Sequence, residues 1–102
     1  MVAKLSDDFR GSDYLNFSCP GCAMTHSVRV KRGPHVSGAL WSWNRSLDRP
    51  SLQPSINIAW EDPEEKVRRR CHSNITDGAI TFHADSTHGL AGQTVPLPPF
   101  EV

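Results

Sequence analysis

The chain has 102 residues and a mass of 11.3 kDa, with 37% hydrophobic and 22% charged residues, enough for one small domain with a modest core. Eleven Lys+Arg balance eleven Asp+Glu, which argues against bulk charge as a means of holding nucleic acid. A mean hydropathy of −0.45 and no apolar run near eighteen residues exclude a membrane-spanning helix.

Met1–Arg10 carries no apolar stretch of signal-peptide length, so the expected location is the cytoplasm of the host cell. Residues 1–13 are polar and predict an irregular arm or a first strand. Tyr14–Phe17 predicts a short strand leading into Cys19-Pro20-Gly21-Cys22, and Val28 and Val30 alternate with Arg29 and Lys31 in a returning strand. Arg32–Gly38 predicts a loop, and Leu40–Asn44 another strand with Trp41 and Trp43 on one face, directed into the core. Pro50 and Pro54 mark Asn44–Ser55 as an extended loop. Ile56, Ile58 and Trp60 alternate in a half-buried strand, and Glu61–Arg70 is a charge-dense loop or short helix.

The clearest local signal is a hairpin over Cys71–His83. Asp77-Gly78 supplies the two positive-φ positions of a type I′ turn. That turn pairs Ile75 with Ile80, Ser73 with Phe82 and Cys71 with Ala84 on one face. Asn74 with Thr81 and His72 with His83 form the other. Asp85–Gly92 then reads as a loop or single helical turn, with Val95 and Leu97 in a last extended piece. Seven Gly and eight Pro break the chain into short pieces. The expected class is a mainly β, single-domain fold over residues 1–102, with five to seven short strands and a zinc site.

Three cysteines make a disulfide framework a poor reading in a reducing compartment. Cys19 and Cys22, two residues apart around a turn, can converge on one tetrahedral Zn2+. A redox dithiol is disfavoured because no βαβ pattern surrounds it. Cys71 is the natural third ligand. His88 ranks first as the fourth, with His72 and His26 as alternatives; His72 follows Cys71 directly, so the two side chains leave opposite faces of a strand. A zinc ion there would pin an early turn to the late hairpin and contribute on the order of 10 kcal/mol to folding. His35 and His83 read as ordinary surface or structural residues. A second constellation, His72 and His83 facing across the hairpin with Asp85 and His88 near, could hold a catalytic metal or act as general acid and base. No Gly-rich phosphate loop, nucleophile-elbow serine or HExxH helix is present.

These residues resemble an uncharacterised domain family common in phages and prophages and often labelled "ammonia monooxygenase" in genomes. The matching stretches are Cys19–Cys22 with His26, Trp41-Ser-Trp-Asn44, Arg49-Pro-Ser-Leu-Gln-Pro-Ser55, the Cys71–Phe82 hairpin, and Asp85-Ser-Thr-His-Gly-Leu-Ala-Gly-Gln-Thr-Val95. The chain departs from that pattern at Arg45, where glycine is more usual, and at His83, where an apolar residue is more usual. The resemblance implies a phage-related chain and supports a metal site at Cys19, Cys22 and the Cys71/His88 region. It supplies no activity, since the labelled chemistry belongs to a copper-dependent membrane complex.

The function expected on these grounds is a non-enzymatic, zinc-stabilised module that binds a host or phage protein in the bacterial cell. The alternative is a metal-dependent hydrolase using the His/Asp cluster around the Cys71–His88 hairpin. Nucleic-acid binding through Arg68–Arg70 and the tryptophans is a third, weaker reading.

Overall fold

The computed structural model describes residues 1–100 as an all-β fold of two antiparallel sheets. The first sheet has the order β1-β2-β3, from β1 (Ala3–Asp7), β2 (Asp13–Cys19) and β3 (Met24–Lys31). The second runs β4-β5-β6-β7-β8, from β4 (Ser42–Trp43), β5 (Leu52–Glu61), β6 (Arg68–Thr76), β7 (Ala79–Phe82) and β8 (Thr94–Pro96). Among the described residues that makes eight strands, and no helix is long and apolar enough to cross a membrane.

Strand alternation sorts the side chains. Leu15, Phe17 and Cys19 of β2 and Ile56, Cys71, Ile75, Ile80 and Phe82 of the second sheet join one buried cluster. The intervening positions Asn57, His72, Asn74 and Thr81 are left on the outer face of the second sheet. The site described below occupies both faces of β6.

The hairpin has the expected register: Ile75 faces Ile80, Asn74 faces Thr81 and Ser73 faces Phe82. Asp77 and Gly78 take φ values of 51° and 81°. β7 ends at Phe82, two residues short of the expected pairings that ran through His83 to Ala84, although His83 N–H still donates to the His72 carbonyl at 2.8 Å. A side chain at Gly78 would carry both the positive-φ cost and a 3.2 Å approach to the Arg49 Cα. Gly78→Val is therefore expected to lower stability by about 1–3 kcal/mol in a denaturant titration. An unchanged midpoint would refute the turn assignment.

Of the two readings of residues 1–13, the first strand is the one found: β1 pairs with β2 from Ala3↔Phe17 to Asp7↔Asp13. Two expectations need correction. Only Ser42 and Trp43 form the expected 40–44 strand, because the Trp41 N–H is taken by the Arg29 carbonyl of the first sheet at 2.8 Å. Leu52–Ser55 is strand rather than loop: β5 begins at Leu52, whose partner is Ile75, and the register then shifts before Ile56 pairs with Ser73. Pro54 is tolerated there because the register shift leaves it without a partner in the β5–β6 ladder.

The charged connection also resolves into strand ends and a turn. β5 continues to Glu61, β6 starts at Arg68, and Asp62 Oδ1 accepts the backbone N–H groups of Glu64 and Glu65. Arg69 folds back on this turn, 2.7 Å from Glu65 and 3.5 Å from Asp62. Arg45, one of the two departures noted above, sits at φ 67°, a conformation that glycine adopts without strain.

Candidate active site and metal centre

On the core side of β6, Cys19, Cys22, Cys71 and His88 bring one ligand atom each to within 4.8 Å of one another. The β2–β3 turn delivers the first two, and the loop after β7 delivers His88. Cys19 Sγ lies 3.8 Å from Cys71 Sγ, which lies 3.6 Å from His88 Nε2. Two sulfurs at ~2.3 Å from a tetrahedral zinc stand about 3.8 Å apart, and a sulfur and an imidazole nitrogen about 3.6 Å, so the separations fit the ion. Gly21 is required by close approach: a Cβ there would fall 2.3 Å from the His88 ring.

The crowded sulfurs share charge unequally. A hydrogen bond from the Cys71 thiol, aided by His26 and the backbone, holds Cys19 down to about 3. Cys71 is pushed well above the thiol range, chiefly as the donor to Cys19 and then by burial. Burial raises Cys22 to about 11. Hydrogen bonding to the Cys19 thiolate thus keeps Cys71 protonated and burial does the same for Cys22, and a divalent cation among the three sulfurs would favour all of them as thiolates. Of the three candidate histidines only His88 joins the cysteines. His26 is buried on β3 beside Phe17, with its rings edge-on at 5.6 Å, and His72 faces away, as strand alternation requires.

The opposite face of β6 holds a different constellation. His72 Nδ1 lies 3.1 and 3.2 Å from the two Asp85 carboxylate oxygens, and His72 Nε2 lies 3.2 Å from Ser55 Oγ. An ionised carboxylate can only accept, so Nδ1 carries the ring proton and Nε2 keeps its lone pair toward the Ser55 hydroxyl. A hydroxyl, an imidazole and a carboxylate in continuous hydrogen bonding form a proton relay for nucleophilic acyl transfer.

Each member is placed by a local feature. Ser55 sits in the β5 bulge, His72 on the adjacent β6 with half its surroundings covered, and Asp85 just beyond β7. The 85–88 loop is laced to β6. The buried Ser86 hydroxyl accepts the His72 N–H at 3.0 Å and donates to the His72 carbonyl at 3.1 Å. Thr87 bonds the Arg70 backbone on both sides, through its own N–H at 2.9 Å and its hydroxyl at 3.0 Å. His72 and His83, expected to face each other across the hairpin, stack with centroids 3.8 Å apart and planes 8° apart. A groove of about 490 Å³ is lined by Leu40, Ser42, Gln53, Pro54 and Asn74, the last on the outer face of β6 with His72.

Ser55 had no role in the sequence reading. It lies in no nucleophile motif, and its only signal was its place at the end of the matching stretch 49–55. The His/Asp cluster around the hairpin divides: His72 and Asp85 join Ser55, while His88 joins the cysteines. With both His72 nitrogens engaged by Ser55 and Asp85, the metal-dependent hydrolase gives way to a serine-centred arrangement.

No curated protein and no solved structure matches the chain. A family model described as "Bacterial ubiquitination-like system serine protease (BubE)" matches residues 2–83, a span that includes Ser55, His72 and all three cysteines. This overturns the expected non-enzymatic interaction module, since the family is described by a protease activity. It is in keeping with a bacterial domain family, here one described by a stated activity. By that match over most of its length, the chain belongs to the family of bacterial ubiquitination-like system serine proteases.

Proposed function

We propose that the chain is a serine protease in which Ser55 is the nucleophile, His72 the general base and Asp85 the residue that orients and stabilises it. The observation that carries this reading is the unbroken Ser55–His72–Asp85 hydrogen-bonded relay on the outer face of the second sheet. In the first step Ser55 Oγ attacks a substrate carbonyl carbon as its proton passes to His72 Nε2. Collapse of the tetrahedral intermediate breaks the C–N bond, and the leaving amine takes that proton from His72. A water deprotonated by His72 then hydrolyses the Ser55 ester and restores the hydroxyl. The Asp85 carboxylate stabilises the imidazolium that forms twice in this cycle. The family description supports a protein component of a bacterial ubiquitination-like system as the substrate.

The same reading assigns Cys19, Cys22, Cys71 and His88 to a structural zinc ion, four protein ligands closing the site. When bound, the ion supplies cohesion between the two sheets rather than a reacting group. It lies on the opposite face of β6 from Ser55.

A fluorophosphonate probe tests the nucleophile. The expected result is a single covalent adduct on the Ser55 peptide by mass spectrometry, absent in Ser55→Ala. Labelling of Ser55→Ala at the parent's rate, or an adduct on another serine, would overturn the assignment.

A further inference from the structure

Acyl transfer creates an oxyanion, and the relay itself has no donor left to meet it. The Ser55 proton goes to His72, and the His72 Nδ1 proton is held by Asp85. A neighbour on the same face can supply a donor. The ladder pairs Ile56 with Ser73 and Leu52 with Ile75, so Gln53, Pro54 and Ser55 together lie across the bulge from Asn74. Alternation puts the Asn74 side chain on the His72 side of β6, and Asn74 lines the groove together with Gln53 and Pro54.

The orientation of that amide is fixed. Its Oδ1 lies 2.5 Å from His83 Nε2, and an amide oxygen accepts, so His83 donates. The Asn74 NH2 group, bonded to no other group among the described residues, is thereby turned away from His83. His83 is itself held by its stack on His72.

We propose that the Asn74 side-chain amide is the oxyanion donor of the Ser55 reaction and that His83 is the positioning residue that aims it, an inference that rests on the triad reading. As Ser55 attacks, the carbonyl π electrons move onto oxygen, and an Asn74 N–H donates to that charge. The bond returns when the amine leaves. A donor aimed before the reaction begins needs no reorganisation at the transition state, which is why one such amide is worth about 10²–10³ in kcat.

The test uses the full chain, hydrolysis of p-nitrophenyl butyrate, and inhibition by phenylboronic acid, whose serine adduct mimics the tetrahedral intermediate. Asn74→Ala is expected to lower kcat by about 10²–10³-fold with KM within about twofold, and to weaken phenylboronic acid binding in parallel. Asn74→Asp keeps the shape and the acceptor for His83 but loses the donor, and covers the case in which the alanine variant fails to fold. It should show the same loss. His83→Phe keeps a ring against His72 but frees the amide, and should cost about tenfold, the worth of one neutral hydrogen bond. A kcat within threefold of the parent in both Asn74 variants, with Ser55→Ala inactive, overturns the proposal and spares the triad. Activity surviving in Ser55→Ala overturns both.

Discussion

Ser55→Ala is expected to lower kcat by roughly 10⁴–10⁶-fold, with the thermal midpoint and metal content of the parent retained. The hydroxyl is the atom that forms the acyl bond, and alanine removes it without disturbing the β5–β6 ladder, which is built from backbone groups. His72→Ala should cost nearly as much, because without a base the hydroxyl is a weak nucleophile at neutral pH. Asp85→Asn should cost less, about 10²–10⁴-fold. An amide in place of the carboxylate can present its NH2 to Nδ1 and so favour the tautomer with its proton on Nε2, facing Ser55. Asp85 is also more exposed than His72, at 53% against 21%, so water can partly replace it. Residues that act as one relay lose their effect together, so the Ser55/His72 double variant should be little worse than either single one. Additive losses in kcat would show that the two side chains work independently, and the relay would be refuted.

Loss of the metal should be the largest effect on stability. Zinc in a closed site contributes about 10–16 kcal/mol of apparent binding free energy, against about 5–15 kcal/mol for the net stability of a folded domain. Cys19→Ser and Cys22→Ser are therefore expected to abolish cooperative thermal unfolding, and elemental analysis of the parent should give about one zinc per chain. Competition with a chromogenic chelator separates the histidines. His88→Ala should release the metal readily, whereas His72→Ala should hold it as the parent does, because only His88 reaches the cysteines. Cooperative unfolding at the parent's temperature in both cysteine variants would refute the assignment. Activity should vanish with the metal, since Cys71 immediately precedes His72 and the loop that ends in His88 begins at Asp85.

The cluster of Cys19, Cys22, Cys71 and His88 was legible in the sequence because thiols are scarce and their roles few. A Cys-x-x-Cys turn with one further cysteine leaves little freedom, and alternation along β6 then separates His72 from Cys71. The hairpin was legible because Asp77-Gly78 fixes its register locally. The start of β5 was hidden by Pro54, a residue that reads as a loop unless a bulge accommodates it. Ser55 was hidden for a deeper reason. A serine becomes a nucleophile through the base beside it, and that base arrives from another strand, 17 positions away in sequence. His72 and Asp85 stood as general acid–base candidates because the hairpin places them near each other. The hydroxyl that gives them a reaction lay in a segment read as connection.

All three relay residues lie between β5 and the loop after β7, a stretch that folds as one antiparallel meander. The first sheet contributes no member of the relay. Its turn instead supplies two of the four sulfur and nitrogen ligands on the far side of β6. Chemistry and cohesion are therefore inherited by different stretches of the chain. Substitutions around Gln53 and Leu40 can therefore reshape the groove without touching the clasp. The β2–β3 sheet can likewise acquire new surface residues without altering the proton path, provided its two thiols stay in place.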